Sequence, residues 1–282
     1  MTQRLPNFIY IGPSKAGSTW LHEVLITHPQ IYLSAAKDLY FFDRYFDRGM
    51  DWYAGHFTGI QPQHTVVGEV CQEYLSSPEA PERMRSCLGP DLRLMVTLRD
   101  PVARAFSGYL YMRKHGVFEG TFREALETRP GMFYHSSYAT LLSRYLERYD
   151  RSVIHCAVFD DLAADPQSFV DETLSWLEVE PMQLTEKQLA AQLPASKARS
   201  LPLAKAAKQG ANWARQHNAA TIVGVVKRSP VVQKVLYARL TGDKPQLSDD
   251  DAAFVRKRLG PEMVRTEELL GIELRRRWGW PE

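Results

Sequence analysis

An apolar run, a glycine-bracketed turn and an amphipathic segment follow one another near the N-terminus, as FIYIGPSKAGSTWLHEVLITHP over residues 8–29. This order predicts a buried strand, a tight loop and a helix whose N-terminus faces the loop. Unpaired backbone N–H groups and the positive end of the helix dipole converge at such a junction. We therefore expect the loop to bind a phosphate or a similar anion.

The loop differs from that of a nucleoside triphosphatase in the position of its lysine. Gly12 and Gly17 have the spacing of G-x-x-x-x-G-K-[ST], but Ser18 follows where the lysine is required. Lys15 instead lies inside the loop, where it is predicted to point into the backbone nest, with Ser18 and Thr19 adding hydroxyl donors. The alternative is an ordinary glycine turn with a surface lysine.

Four apolar runs predict buried strands, at residues 7–11, 65–70, 92–98 and 152–159. They alternate with helical patterns, which favours an α/β fold with a central parallel sheet flanked by helices. Asp100-Pro101 and Asp165-Pro166 each predict a capped helix start, and a further helix is predicted to begin near Ser136.

The character of the chain changes after Pro181. Helical runs follow without a clear strand, and SDDDAAFVRKRLGPEMVRTEELLG predicts two capped helices. We expect a single domain over residues 1–282, with a core of about 5–180 and a helical C-terminal part of about 181–282. The basic stretch at residues 227–239 is interpreted as a solvated helix face, with a membrane or partner surface as the alternative.

Composition restricts the function to a local site. The 35 basic and 33 acidic residues nearly balance, so no global field favours nucleic acid or a membrane surface. Cys71, Cys87 and Cys156 are too widely spaced for a zinc site or a disulfide framework and are interpreted as buried packing residues in a reducing compartment. Without a signal-peptide pattern or an apolar run of about 20 residues, a soluble cytoplasmic protein is expected.

A second anion site is predicted after the third strand, in LMVTLRDPVARAFSGY. Arg99 stands at the carboxyl edge, where ligands of open α/β sheets bind, and Ser107 lies about two turns into the next helix. Arg99 could instead pair with Asp100 or Asp43, and Ser107 could be an ordinary helix serine. Together with the loop, the pair suggests a nucleotide that carries phosphates at two separate places.

Several motifs in the same order resemble the sulfotransferases that use 3′-phosphoadenosine 5′-phosphosulfate (PAPS). They are PSKAGSTWL, LRDPVARAFSGY and SSYATLLSRYLERY, and the resemblance covers residues 8–202. AAKDLYFFD and MDWYAGHF are most similar to the glycan-type enzymes, such as the heparan sulfate sulfotransferases and bacterial relatives. SKARSLP resembles their cofactor-binding S-K-G-R-x-x-P loop, with Ala198 in place of glycine. The resemblance implies a P-loop-like three-layer fold.

The resemblance also implies a role for each matched residue. The loop would hold the 5′-phosphosulfate, with Lys15 on the bridging oxygen, and would need no metal because a sulfuryl group carries less charge than a phosphoryl group. Arg99 and Ser107 would bind the 3′-phosphate, and Tyr138 lines the same site or packs in the core. The implied cofactor-binding residues are Lys15, Ala16, Gly17, Ser18, Thr19, Trp20, Arg99, Ser107, Lys197 and Arg199.

The general base is assigned by the same resemblance. Asp38 in KDLYFF stands where these enzymes carry a glutamate before an aromatic pair, and the alternative is a turn aspartate paired with Lys37. Glu69 matches a buried family glutamate and is a second catalytic candidate. Val70 stands where the family has a lysine, so a second cation near the transferred group must come from elsewhere or be absent.

The predicted activity is transfer of a sulfuryl group from PAPS to a hydroxyl, with an amine as second choice, of a sugar, lipid or secondary metabolite. The alternatives are a small-molecule kinase with a degenerate P-loop and a catalytically inactive nucleotide-binding module. Neither nucleic acid nor a membrane span is expected, and the acceptor and oligomeric state stay open. Aromatic residues that form either an acceptor wall or core are Tyr40, Phe41, Phe42, Trp52 and Tyr53.

Overall fold

A five-stranded parallel sheet forms the centre of the computed structural model, which describes residues 4–190, 196–198, 210, 237–239 and 245–281. The strand order is β2-β3-β1-β4-β5, and every neighbouring pair is parallel. The strands are β1 (Phe8–Gly12), β2 (Ile31–Leu33), β3 (Val66–Val70), β4 (Arg93–Leu98) and β5 (Ile154–Val158). The predicted parallel α/β architecture is confirmed.

Helices cover both faces of this sheet. Those of the first half are α1 (Ser18–Leu25), α2 (Gly49–Ala54), α3 (Ala80–Leu88), α4 (Pro101–Lys114), α5 (Phe122–Thr128) and α6 (Gly131–Tyr134). The others, numbered within the described ranges, are α7 (Tyr138–Leu146), α8 (Phe159–Ala164), α9 (Pro166–Leu177), α10 (Glu186–Leu189), α11 (Asp249–Leu270) and α12 (Leu274–Arg277). Short 3₁₀ turns occupy Phe46–Arg48, Tyr74–Ser76 and Arg151–Val153.

Two apolar clusters lie on opposite faces of the sheet, because successive side chains of a strand point to opposite sides. Ile9 and Ile11 of β1 face a cluster that includes the aromatic residues after β2 and helix α11. Phe8 and Tyr10 face the other cluster, which includes α1 and α9. Burial on both faces explains why these strands read as continuous apolar runs.

Three short strands were not predicted from the sequence. β2 has three residues, and β6 (Ser196–Ala198) pairs antiparallel with β7 (Tyr237–Arg239). The expectation that no strand follows residue 182 is therefore wrong. Three residues are too few to display an alternating pattern, so nothing in the sequence distinguishes such strands from loop.

Helix α11 is one helix of 22 residues, although two capped helices were predicted here. Pro261 lies inside it, where a proline costs about 3 kcal/mol. Val255, Leu259 and Met263 lie on one face at helical spacing and are fully or nearly buried in the core. Burying three such side chains contributes roughly 1.5–3 kcal/mol each, which outweighs the proline and keeps the helix continuous.

Helix α4, which begins two residues after Arg99, is capped at its N-terminus, as the sequence predicts. The Asp100 carboxylate accepts from the backbone N–H of Val102 at 3.2 Å, and the indole N–H of Trp280 donates to the same oxygen at 3.0 Å. Asp165 likewise caps α9, whereas the helix expected near Ser136 begins at Tyr138. The end of the described chain therefore packs against the start of α4.

The cysteines and the helices bear on two further predictions. All three cysteines are free thiols, but Cys71 alone is buried, whereas Cys87 and Cys156 are half-buried. The prediction that the cysteines are buried is thus confirmed for Cys71, whereas Cys87 and Cys156 are only partly buried. Within the described ranges, every helix is too short or too polar to cross a membrane.

Candidate active site

The loop between β1 and α1 is confined by its surroundings at both glycines. A Cβ on Gly12, whose φ is +132°, would lie 2.5 Å from the backbone oxygen of Gln72. A Cβ on Gly17, whose φ is +86°, would lie 2.6 Å from Leu162 Cδ2. Glycine is therefore required at Gly12 by backbone conformation and by space, and at Gly17 chiefly by its positive φ, because the end of the Leu162 side chain can shift. The loop lies between the end of β3 and helix α8.

Lys15 occupies the centre of this loop in the left-handed region, with φ of 71°. Its Nζ lies 4.6 Å from the centroid of the Tyr111 ring. Burial, together with the positive charges of Lys114, Arg99 and Lys37, lowers the pKa of Lys15 to about 8. The predicted cation is thus present and half-buried, and other cations surround it.

Arg99 holds the loop from the end of β4. Its Nη1 donates to the Lys15 carbonyl oxygen at 2.6 Å, and its guanidinium carbon lies 4.4 Å from the centroid of the Phe159 ring. Its own carbonyl accepts from the Tyr138 hydroxyl at 2.7 Å. Asp43, considered above as a partner for Arg99, forms an ion pair with Arg44 at 3.2 Å. Arg99 therefore contacts the loop and connects Tyr138 to it.

Arg104 is a buried cation that the sequence analysis missed. It is 2% exposed, and its guanidinium donates to the Ser136 hydroxyl and to the Met132 carbonyl. Both of these acceptors are neutral, and burial lowers the pKa of Arg104 to about 10. Arg104 lies three residues before the half-buried Ser107 in α4, so the two share a helix face. This spacing was the signal that could have identified it.

Lys37 and Asp38 approach the N-terminus of α1 from the segment after β2. Lys37 Nζ lies 2.7 Å from Ser18 Oγ and 3.7 Å from Asp38 Oδ1. The backbone N–H of Gln72 donates to Asp38 Oδ1 at 3.3 Å, and the Asp38 N–H donates to the Val70 carbonyl at 2.8 Å. The structure thus brings the predicted base and the predicted loop together through Ser18.

Glu69 lies in a different environment from Asp38. It is fully buried, and neither carboxyl oxygen has a hydrogen-bond partner within the described part of the chain. Burial raises its pKa to about 8, which the neighbouring hydroxyls of Tyr53 and Tyr74 only partly oppose. A carboxyl group with this pKa is mostly protonated at pH 7. The structure therefore places Glu69 in the core, as a neutral acid.

The remaining predicted residues divide into three groups. Ala16 is buried, Thr19 is exposed at the first turn of α1, and the Trp20 indole donates to the Gln188 carbonyl at 2.9 Å. Lys197 lies on β6 opposite Ala238, and Arg199 lies outside the described residues. Of the proposed aromatic wall, the residues that belong to the buried core are Phe41, Phe42, Trp52 and Tyr53.

The site therefore combines a helix N-terminus with a cluster of cations, which we call the cation cluster: Lys15, Lys37, Arg99, Arg104 and Lys114. Charges of one sign that are held together and partly removed from water are costly unless a ligand of opposite sign binds. The arrangement can hold a multiply charged anion, with Asp38 at one end. Among the described residues, no group of three or more His, Cys, Asp or Glu could hold a metal.

Comparison with known proteins identifies the family of this chain. The family model described as "Sulfotransferase domain" matches residues 5–222. Bifunctional heparan sulfate N-deacetylase/N-sulfotransferase 3 of Homo sapiens is 30% identical over 199 residues, which cover 63% of this chain and 23% of the relative. Heparan sulfate glucosamine 3-O-sulfotransferase 3B1 of Homo sapiens is 38% identical over 112 residues, covering 38% of this chain and 27% of the relative.

A solved structure agrees in fold. The sulfotransferase from Alicyclobacillus acidocaldarius has a TM-score of 0.60 and 24% identity, and the match covers 82% of this chain and 99% of that one. The matched region spans only about a quarter of the length of the two curated relatives. The family model, in contrast, matches well over half of this chain. The predicted resemblance is thereby confirmed, and the chain belongs to the sulfotransferase family.

Proposed function

We propose that this protein transfers a sulfuryl group from PAPS to a hydroxyl group of a sugar, lipid or secondary metabolite, with an amine as the second choice. The observation that carries the proposal is the cation cluster around the N-terminus of α1, with Asp38 beside it. PAPS carries negative charge at two separated positions, and the cation cluster includes Lys37 at the Ser18 hydroxyl and Arg104 at the Ser136 hydroxyl. The names of the two curated relatives favour a sugar as acceptor.

The residues present fit this co-substrate. The backbone N–H groups at the start of α1, with Lys15, would hold the 5′-phosphosulfate. Arg99 and Ser107 would hold the 3′-phosphate, near the buried guanidinium of Arg104. Since both hydrogen-bond acceptors of Arg104 are neutral groups, a bound phosphate would supply the missing negative charge. Lys197 and Arg199 are proposed, from the resemblance alone, to close over the nucleotide.

Two side chains are proposed to act on the reacting atoms. Asp38 accepts the proton of the attacking hydroxyl, and Lys15 stabilises the charge that develops on the oxygen between phosphate and sulfate. Glu69 is the second candidate base, but its burial and raised pKa favour Asp38. The family assignment removes the kinase alternative, and Asp38 beside the loop argues against an inactive module.

The domain organisation and the cellular location belong to the same proposal. A single domain over residues 1–282 is supported by the packing of α11 and Trp280 on the core of the sheet. The Glu262 carboxylate of α11 also accepts from the backbone N–H of Thr140 at 2.6 Å. The cytoplasmic location rests on the sequence alone and stays a prediction.

Arg99→Ala is expected to weaken the binding of adenosine 3′,5′-bisphosphate (PAP) by about 10- to 100-fold and to leave AMP binding far less affected. A charge-assisted contact to a phosphate is worth roughly 1.5–3 kcal/mol. Isothermal titration calorimetry with both nucleotides measures the difference. Arg99 also contacts the Lys15 carbonyl, so Ser107→Ala provides a second variant that leaves this contact intact. Equal affinity of the native protein for PAP and AMP would exclude a dedicated 3′-phosphate site.

The activity itself is tested with ³⁵S-labelled PAPS. The protein is incubated with desulfated heparan sulfate, simple phenols and lipid extracts, and labelled products are identified by mass spectrometry. A sulfated product formed together with PAP supports the proposal. If the protein neither binds PAP nor consumes PAPS, the proposed function is wrong.

The kcat/KM for PAPS is expected to fall as the pH rises through about 8. Lys15 must be protonated to stabilise the leaving oxygen, and its pKa in the free enzyme is about 8, so the contribution is present below this pH and lost above it. Lys15→Arg keeps a charge that does not titrate in this range, and its profile should lose the alkaline decline. A native profile that stays flat to about pH 9.5 would contradict the assignment.

A further inference from the structure

We infer that Lys37 is the second cation of the transfer site and contacts the oxygens of the sulfuryl group as it moves to the acceptor. The inference rests on the proposed function and adds a residue to the site, because the resemblance in sequence leads us to expect a cation at position 70, where this chain carries valine. Lys37 entered the sequence analysis only as a partner for Asp38. Its position in the structure indicates more.

The ammonium group of Lys37 lies beside the position at which the N-terminus of α1 would bind an anion. Its Nζ is 2.7 Å from the hydroxyl of Ser18, the first residue of α1. The free backbone N–H groups of this helix end and the Ser18 hydroxyl face the same ligand. A group within hydrogen-bond distance of Ser18 Oγ is therefore at the surface of that ligand.

The backbone around Lys37 is fixed to the edge of the sheet. Asp38 has φ of 61°, a conformation that aspartate tolerates better than most residues. Its N–H donates to the Val70 carbonyl at 2.8 Å, and its carboxylate accepts from the Gln72 N–H at 3.3 Å. These bonds attach the segment to the carboxyl end of β3. They place Lys37 at the active edge, and its side chain is 15% exposed.

Val70 cannot supply the cation from its own position. It is fully buried in the cluster that contains Tyr10 and Trp20. Lys37 is attached to the same strand end from the neighbouring segment, so it brings a charge to the edge where position 70 brings none. Lys37 therefore provides a positive charge at this edge from a different part of the chain.

The contact with Asp38 does not use all the hydrogen-bond donors of Lys37. The distance to Asp38 Oδ1 is 3.7 Å, longer than a hydrogen bond, whereas the shorter contact is to the neutral Ser18 hydroxyl. An ammonium group has three donors. Donors that are directed to the helix end can bind sulfuryl oxygens while the charge keeps the carboxylate of Asp38 oriented toward the acceptor.

In the proposed step, the acceptor oxygen displaces the bridging oxygen at sulfur. A lone pair of the acceptor oxygen forms the new bond to sulfur, and the acceptor proton passes to Asp38. The bond between sulfur and the bridging oxygen breaks, its electron pair stays on that oxygen, and PAP leaves. Lys15 faces the leaving oxygen and Lys37 faces the three sulfuryl oxygens, so the two cations divide the charge of the transition state.

Lys37→Met tests the inference without a known acceptor. Enzyme in excess is mixed with ³⁵S-labelled PAPS, and release of labelled sulfate to water is followed in a single turnover. We expect the rate to fall on the order of 10²-fold, as for loss of a donor to developing charge. PAP lacks the sulfuryl group, so its dissociation constant by calorimetry should change less than about threefold. Lys37→Arg, which keeps the charge, should retain part of the rate.

Two further variants separate the possible causes. Ser18→Ala removes the partner hydroxyl and should cost less than Lys37→Met if the charge is what matters. Lys257→Met removes an exposed lysine of α11 and should leave the rate unchanged. A Lys37→Met rate within about threefold of the native rate would overturn the inference, and so would equal losses in rate and PAP affinity. Native protein that binds no PAP and releases no sulfate would instead disprove the proposed function.

Discussion

Asp38→Asn is expected to lower kcat on the true acceptor by about 10²- to 10⁴-fold, the usual effect of removing a general base. Asparagine keeps the shape of aspartate but does not accept the proton. Its amide oxygen can still accept from the Gln72 N–H, and the backbone bond to Val70 is unchanged. The fold and the dissociation constant for PAP should therefore be preserved, which circular dichroism and calorimetry verify.

Two companion variants make this experiment decisive. Asp38→Glu restores the longer acid of the resembling enzymes: partial activity would mean that the site tolerates either length, and complete loss would mean that the backbone here requires the shorter one. Glu69→Gln is the matched control, because it neutralises an acid that burial already keeps mostly protonated at pH 7. Near-normal kcat of Asp38→Asn, under conditions where chemistry limits turnover, would exclude Asp38 and make Glu69 the leading candidate.

The sequence was sufficient for the parts of the site that depend on local chemistry. The spacing of Gly12 and Gly17, with Lys15 between them, predicts a tight anion-binding loop, and the structure shows a Cβ at either glycine colliding with a neighbour. Asp100-Pro101 predicts the start of α4 for the same kind of reason, since a cap and a proline act within one turn. Such features need no knowledge of distant residues.

Features that depend on packing between distant segments could not be predicted. In the sequence, only its spacing from Ser107 marks Arg104 as a candidate, and its burial follows from contacts with Met132 and Ser136. The direction of Lys37 depends on the left-handed conformation of Asp38 and on bonds to the end of β3. In each case the burial that gives the cation its role comes from segments that lie far away in the sequence.

The same limit explains the errors in secondary structure. Pro261 correctly indicates a local preference for ending a helix, but the apolar face of α11 continues across it and packs on the core. The three-residue β2 is held by pairing with β3 rather than by a pattern of its own. In both places, tertiary contacts outweigh a local signal or replace a missing one.

Lys15→Ala is expected to lower kcat by about 10²-fold or more, while the affinity for PAP changes much less. The bridging oxygen gains most of its charge in the transition state, so the cation that faces it contributes more to the rate than to ground-state binding. A 10²-fold loss corresponds to about 2.7 kcal/mol of transition-state stabilisation. Single-turnover kinetics with labelled PAPS and calorimetry with PAP measure the two quantities separately.

Partial removal of Lys15 from water accounts for the large loss in kcat expected for Lys15→Ala. The ammonium group is partly removed from water in the free protein, and this burial, with the neighbouring cations, lowers its pKa to about 8. A charge in that state interacts more strongly with a developing negative charge than a solvated one does. Lys187→Ala, at an exposed lysine of α10, serves as the control for loss of one positive charge. Added Mg²⁺ should not restore Lys15→Ala, because a hydrated ion lacks the fixed position of the side chain. Unchanged turnover would mean that Lys15 does not face the leaving oxygen, and the charge of that oxygen would then have to be stabilised by Lys37 and the helix N-terminus alone.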